Sequence, residues 1–301
     1  MANGPQRPRA GRLAAKCFWL TGRQAVSFGF SALLPSDAFA DGIPFPGQIG
    51  FQEAATPIQQ EIEFFHNWIL LPIILAICLF VLGLLLYVIF RFNEKANPVP
   101  AQTTHHSKLE VAWTVLPVMI LVATAIPSFH LLTDQLVVPE ADVRLKVTGK
   151  QWYWTCSYPA DQSGGIEFDS VVIPDSELKP GDIRLLSVDN EAVVPVGKVI
   201  HLQVTAADVL HAFAVSSFGV RIDAVPGRLN ESWFKADRVG IYYGQCSKLC
   251  GKDHSAMPIA IRVVSAEAYA AWLTEAKKKF AFTNDSPVRV AASGGPAAQR
   301  Q

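Results

Sequence analysis

Trp68 to Phe90 reads WILLPIILAICLFVLGLLLYVIF, without one charged side chain. About 20 apolar residues suffice for a helix to cross the hydrocarbon core of a bilayer, so this run can span a membrane. Val111 to Leu132, VAWTVLPVMILVATAIPSFHLL, is also uncharged and comparably long. Uncharged runs of this length are rare in soluble cores, which argues against a buried hairpin. The reading is a transmembrane hairpin over 66–132, with spans at about 68–90 and 111–132.

Outward from the hairpin, Arg91, Lys95 and Lys108 lie in the loop between the spans, whereas Glu53, Glu61 and Glu63 precede the first span and Asp134 and Glu140 follow the second. Basic loops stay in the cytoplasm, so both ends of the mature chain are expected outside. The beginning of the chain agrees. Arg7, Arg9, Arg12, Lys16 and Arg23 come before any acid, then a modest apolar stretch ends in Ala38-Phe39-Ala40. That order is a signal peptide over 1–40, cleaved after Ala40, with 41–65 as an outer N-terminal segment.

From about Asp142 the texture changes to short alternating runs such as Val143, Leu145, Val147 and Ile200, Leu202, Val204, separated by Pro and Gly. Such runs are the mark of an all-β sandwich or barrel. Strands are expected at 142–149, 166–173, 183–188, 199–205, 211–216, 239–245 and 259–264, and Ser265 can cap a closing helix. The chain thus divides into the hairpin, one β domain over 133–276 and a disordered tail over 277–301 rich in Ala, Ser, Gly and Pro. The formal charge of the chain is zero, but Asp134 to Glu275 holds 13 basic against 18 acidic residues, a net of −5. That balance attracts cationic partners and disfavours nucleic acid.

Two of the five cysteines fall in GQCSKLCGKDHSAMP, from Gly244 to Pro258, which places Cys246, Cys250, His254 and Met257 within twelve positions. Thiolate, imidazole and thioether suit soft or borderline transition metals, and the thioether favours copper over zinc. Upstream, His211 begins a short apolar strand that a sandwich could bring beside this loop. Two cysteines permit bridging thiolates and so a pair of coppers. A Cys246–Cys250 disulfide would also suit an oxidising compartment, but leaves His254 and Met257 without a role. Cys17, Cys78 and Cys156 read as ordinary small hydrophobes.

The two-span anchor, GKQWYW at Gly149 to Trp154, SELKPG at Ser176 to Gly181, DVLHAFAV at Asp208 to Val215, PGRLN at Pro226 to Asn230 and YYGQCSKLCG at Tyr242 to Gly251 together resemble cytochrome c oxidase subunit II, over about residues 55 to 275. The resemblance implies a membrane-anchored all-β fold: the hairpin followed by a cupredoxin-like Greek-key β-sandwich or barrel with a dinuclear CuA centre. Cys246 and Cys250 would bridge both coppers, His211 and Met257 would complete one, and His254 with the backbone carbonyl of Lys248 the other. Trp152 matches the residue through which electrons arrive from cytochrome c. Glu110 matches a carboxylate near a proton path of subunit I. Asp208 and Asp223 fit a docking patch for a lysine-rich cytochrome. The implied partners are subunit I with its haems and CuB, subunit III, cytochrome c and lipid, in the inner membrane of a bacterium with the copper domain in the periplasm.

From the residues alone, Trp152 also reads as a core or interface aromatic, Glu110 as a helix-start acid, and Asp208 and Asp223 as solvated surface. The family usually has Glu where Lys248 stands, and often an acid at Ser157. The first departure puts in doubt a magnesium site at the subunit I interface, and both thin the acidic patch. A quinol oxidase subunit II would lack the copper ligands, and a copper carrier or assembly protein would hold its metal at an exposed, labile site. The topology is open to test: a cytoplasm-only reporter fused after Lys95 is expected to be active, and a periplasm-only reporter there silent.

Overall fold

A computed structural model describes residues 42–280, so the expected signal peptide and most of the expected tail lie outside the described residues. A continuous helix runs from α1 (Pro57–Phe64) through a π-helical turn (Phe65–Leu70) into α2 (Leu71–Arg91), and α3 (Ser107–Leu136) follows. Both are long and apolar enough to cross a membrane, and their most apolar stretches are unburied. They exceed the expected spans because polar turns extend each helix. Thr56 caps α1 by accepting the Gln59 amide at 3.1 Å, and His106 caps α3 by accepting the Leu109 amide at 3.2 Å.

Beyond α3 the chain builds two five-stranded sheets. The first orders β3 (Ile166–Ser170), β2 (Tyr153–Tyr158), β1 (Val143–Lys150), β5 (Ile200–Ala206) and β8 (Asn230–Phe234). The second orders β4 (Ala192–Pro195), β10 (Pro258–Val264), β9 (Gly240–Cys246), β6 (His211–Val215) and β7 (Val220–Ala224). β1 pairs in parallel with β5, setting Leu145 beside Leu202 and Val147 beside Val204. Alternation sends these four inward against Phe213, Val215, Ile259 and Ile261 of the other sheet, in one core. A short α4 (Ala160–Ser163) links β2 to β3, and α5 (Ala266–Phe280) closes the domain. As expected, Ser265 caps α5, accepting the Ala268 amide at 3.2 Å.

Three differences from the sequence reading have local causes. Residues 183–188 form no strand. The Leu186 and Ser187 amides both bond the Ile183 carbonyl, so local turns satisfy the backbone while Ile183 and Leu186 cover Val188 and Tyr243. Strands β2, β4, β7 and β8 lie outside the expected ranges: β2 is buried at four of its six residues and β4 at all four, so neither shows a clean alternation, and β7 and β8 are edge strands carrying polar residues. Finally, residues 277–280 continue α5, where Phe280 packs on Phe168 with ring centroids 4.9 Å apart.

Tyr158 ties the two sheets together. From β2 its buried hydroxyl donates to the Val193 carbonyl at 2.8 Å and accepts the Val193 amide at 2.9 Å, completing the free edge of β4. Removing it leaves two buried backbone groups unpaired, at a cost of about 2 kcal/mol or more. Tyr158→Phe is therefore expected to lower the denaturation midpoint of the purified protein; an unchanged midpoint would mean that water takes the place of the hydroxyl.

Candidate metal centre

His211 opens β6 and Cys246 ends β9, and the pairing of these strands sets Phe213 opposite Cys246 and Ala214 opposite Gln245. That approach requires glycine at 244, since a Cβ there would lie 2.0 Å from the Ala214 carbonyl oxygen. After Cys246 the chain makes a loop closed on itself, because the Cys246 amide donates to the Met257 carbonyl at 3.0 Å. Cys250 lies within the loop, His254 in a 3-10 turn (His254–Ala256) and Met257 at its exit, 1% exposed.

The donor atoms converge. The sulfurs of Cys246 and Cys250 are 3.9 Å apart, and Cys246 Sγ is 3.9 Å from His211 Nδ1. Cys250 Sγ is 3.5 Å from His254 Nδ1, and the Cys246 thiol points to the Lys248 carbonyl oxygen at 3.3 Å. The ligand atoms of His211, Cys246 and Cys250 all lie within 4.8 Å of one another. Both cysteines are free thiols. Burial first, and the neighbouring Cys246 second, push the Cys250 thiol up to about 12, so a metal must displace protons to bind. An imidazole beside each sulfur makes the cluster two-ended. These soft and borderline donors fit a transition metal, and the two ends fit a pair.

The surrounding residues hold the donors in place. His211 is fully buried, and its Nε2 meets the Asp208 carboxylate at 2.8 Å. With that nitrogen donating, Nδ1 is left with its lone pair toward Cys246. Asp208 also accepts the Gln151 and Val209 amides, each at 2.6 Å. Burial is the largest influence on its carboxyl and opposes the charge, but the bonds from His211, Val209 and Gln151 together hold it below the usual carboxylate value. Gly149 leaves room for the ring: a Cβ there would come 2.9 Å from His211 Cδ2.

Trp152 donates its indole N–H to the Cys250 carbonyl at 3.3 Å, beside the Gln151 side chain at 2.8 Å. It is half-buried, whereas Trp154 is 1% exposed, edge-on to His211 at 5.9 Å, with its indole nitrogen unpartnered among the described residues. Asp223 receives the Lys248 ammonium at 2.7 Å. Glu110 lies apart, at the far end of α3, where it accepts the His106 amide at 3.0 Å. At the helical rise, roughly 40 Å of α3 separates it from the β-domain end. Sequence reasoning did not find Gln151, Gly149 or the orienting bond of Asp208; the three-residue step from Asp208 to His211 was the available signal.

The family description "Cytochrome C oxidase subunit II, periplasmic domain" matches residues 143–264, and its transmembrane domain matches 44–131. A probable cytochrome c oxidase subunit 2 of Rickettsia felis is 47% identical over 90% of this chain and 83% of its own. The cytochrome c oxidase subunit 2 of Cereibacter sphaeroides is 48% identical over 78% of this chain and 82% of its own. This chain belongs to the cytochrome c oxidase subunit II family. Among solved structures, the periplasmic domain of subunit II of cytochrome oxidase from Bradyrhizobium japonicum is 61% identical, covering 48% of this chain and all of that one, with a TM-score of 0.45. As a subunit II, the chain is part of a haem-copper oxidase and a membrane protein, with two apolar helices ahead of its β domain.

The carboxylate behind His211 would orient the imidazole toward a metal held by this cluster. Asp208→Ala is expected to weaken the binding of an added transition metal about 10- to 100-fold, measured by competition with a chelator. An unchanged affinity would mean that packing against Gly149 and Trp154 suffices to orient the ring.

Proposed function

We propose that this chain is the electron-uptake subunit of its oxidase, receiving electrons from reduced cytochrome c at a dinuclear copper centre and delivering them to the haem of subunit I, where oxygen is reduced and protons are pumped. One observation carries the reading: two thiols 3.9 Å apart with an imidazole nitrogen beside each. Copper bound there would supply a reversible one-electron couple. Cys246 and Cys250 would bridge the pair, His211 and Met257 would complete one position, and His254 with the Lys248 carbonyl the other. Strands, the loop-closing bond and Asp208 hold these groups in place, which favours small rearrangement between oxidation states.

Trp152 is the residue we assign to electron uptake, because it is partly exposed and hydrogen-bonded to the backbone of Cys250. Asp208 and Asp223 keep side-chain exposures of 31% and 37% beside the loop; because Lys248 offsets the charge of Asp223, the proposed attraction of a cationic cytochrome to this surface rests mainly on Asp208 and the acidic balance of the domain. Glu110 is proposed to serve subunit I near a proton path at the opposite membrane face. Subunit III and lipid complete the proposed surroundings, in a bacterial inner membrane with the copper domain and both mature termini in the periplasm. The Lys248 ammonium argues against magnesium beside it, since a hard dication needs oxygen donors. A copper carrier fits less well: His211, Cys246, Cys250 and Met257 are all at most 5% exposed. The presence of the whole donor set likewise disfavours a quinol oxidase.

Copper analysis of the purified complex tests the reading, with two coppers expected in this subunit and a mixed-valence spectrum lost in Cys246→Ser. Trp152→Ala is expected to keep the copper and slow reduction by cytochrome c by an order of magnitude or more. One copper per chain with the spectrum intact would refute the pair, and equal slowing by Trp154→Ala would refute a specific role for Trp152.

A further inference from the structure

The carbonyl of Lys248 is the one donor in the cluster that no side-chain chemistry supplies, and its place depends on the course of the backbone. Three bonds fix that course. The Ser247 amide donates to the Ala212 carbonyl of β6 at 3.0 Å. The Arg221 Nε donates to the Ser247 hydroxyl at 3.2 Å, and the Lys248 ammonium donates to the Asp223 carboxylate at 2.7 Å. Arg221 and Asp223 stand two apart on β7 and so project from the same face of the strand, one to each of two consecutive loop residues. The Asp223 backbone is itself held, its carbonyl accepting the Asn230 side chain at 2.6 Å.

We propose that the Asp223–Lys248 ion pair, with Arg221 and Ser247 beside it, is a positioning device that holds the Lys248 carbonyl oxygen on the metal side of Cys246. This rests on the copper reading of the site. The side chains of Lys248 and Asp223 act through the backbone and would themselves touch no metal. Because ammonium and carboxylate neutralise each other, the pair adds direction to the loop without adding net charge beside the centre. Its side chains are 40% and 37% exposed, so solvent screens the attraction and the effect is modest. The Ser247 amide bond fixes the chain one residue earlier, and the ion pair adds a restraint at residue 248 itself, whose carbonyl oxygen the Cys246 thiol meets at 3.3 Å.

The test compares the intact oxidase carrying Asp223→Asn, Lys248→Met, Lys248→Arg, or the reversed pair Asp223→Lys with Lys248→Asp. Two quantities are read: the rate at which a chelator strips copper from this subunit, and the position of the mixed-valence absorption. The two neutral substitutions are expected to release copper about two- to five-fold faster, the range that an ion pair of this exposure supports, and to shift the absorption. Lys248→Arg is expected to behave as the unaltered protein, and the reversed pair to recover most of the loss. A general loss of folding would not be repaired by exchanging the charges. Neutral variants indistinguishable from the unaltered protein, or a reversed pair no better than the worse single, would overturn the proposal. An unaltered oxidase with no copper in this subunit would instead overturn the metal assignment on which it rests.

Discussion

The close pairing of β6 with β9 is the constraint on which the site depends. His211 and Cys246 are 35 positions apart, and nothing local to either would bring an imidazole to a thiol. Pairing Phe213 with Cys246 does so, and the strands can meet there only because Gly244 has no side chain to strike the Ala214 carbonyl. Once that register is fixed, the Cys246 amide finds the Met257 carbonyl, and the loop between them is obliged to return to its start. The remaining donors are then confined to a few ångströms. The convergence of the donor atoms is therefore a property of the sheet before it is a property of the loop.

Around this lies a set of hydrogen bonds whose partners come from other strands. Asp208 bonds His211 and the amide of Gln151, while Gln151 and Trp152 bond the carbonyl of Cys250. The turn between β1 and β2 is thus joined to the histidine of β6 and to the cysteine loop after β9. Each bond is modest, but each removes a freedom that metal binding would otherwise have to remove. The membrane helices are fastened to the same framework. Thr56 donates to the Phe218 carbonyl at 2.9 Å, and Trp233 donates its indole N–H to the Asp134 carbonyl at the end of α3, also at 2.9 Å. The β domain is thus tied to the chain at both of its helical connections.

The apolar runs were legible as membrane helices because a bilayer imposes a length and forbids charge, two conditions visible in a linear sequence. The strands with one buried face were legible for a similar reason, as with Ile200, Leu202 and Val204 in β5. Strands β2 and β4 were not, being buried on both faces over most or all of their length, and neither were the edge strands β7 and β8, whose polar residues blur the alternation. Ile183 to Val188 looked extended only because spacing by two and by three cannot be told apart in so short a run.

At the site, the sequence determined the chemistry: Cys246, Cys250, His254 and Met257 are close in the chain, and the choice of sulfur and imidazole states what they can hold. It also carried His211 as a candidate, through the strand that begins there. What it could not contain was the role of groups whose partners are distant. Asp208 and Asp223 read equally well as solvated acids. Folding engages one with His211 and the other with Lys248, because their neighbours arrive through strand pairing rather than along the chain. Composition and spacing record what each residue is able to do; which residue it does it with depends on register, and register is fixed only when the two sheets close on a common core.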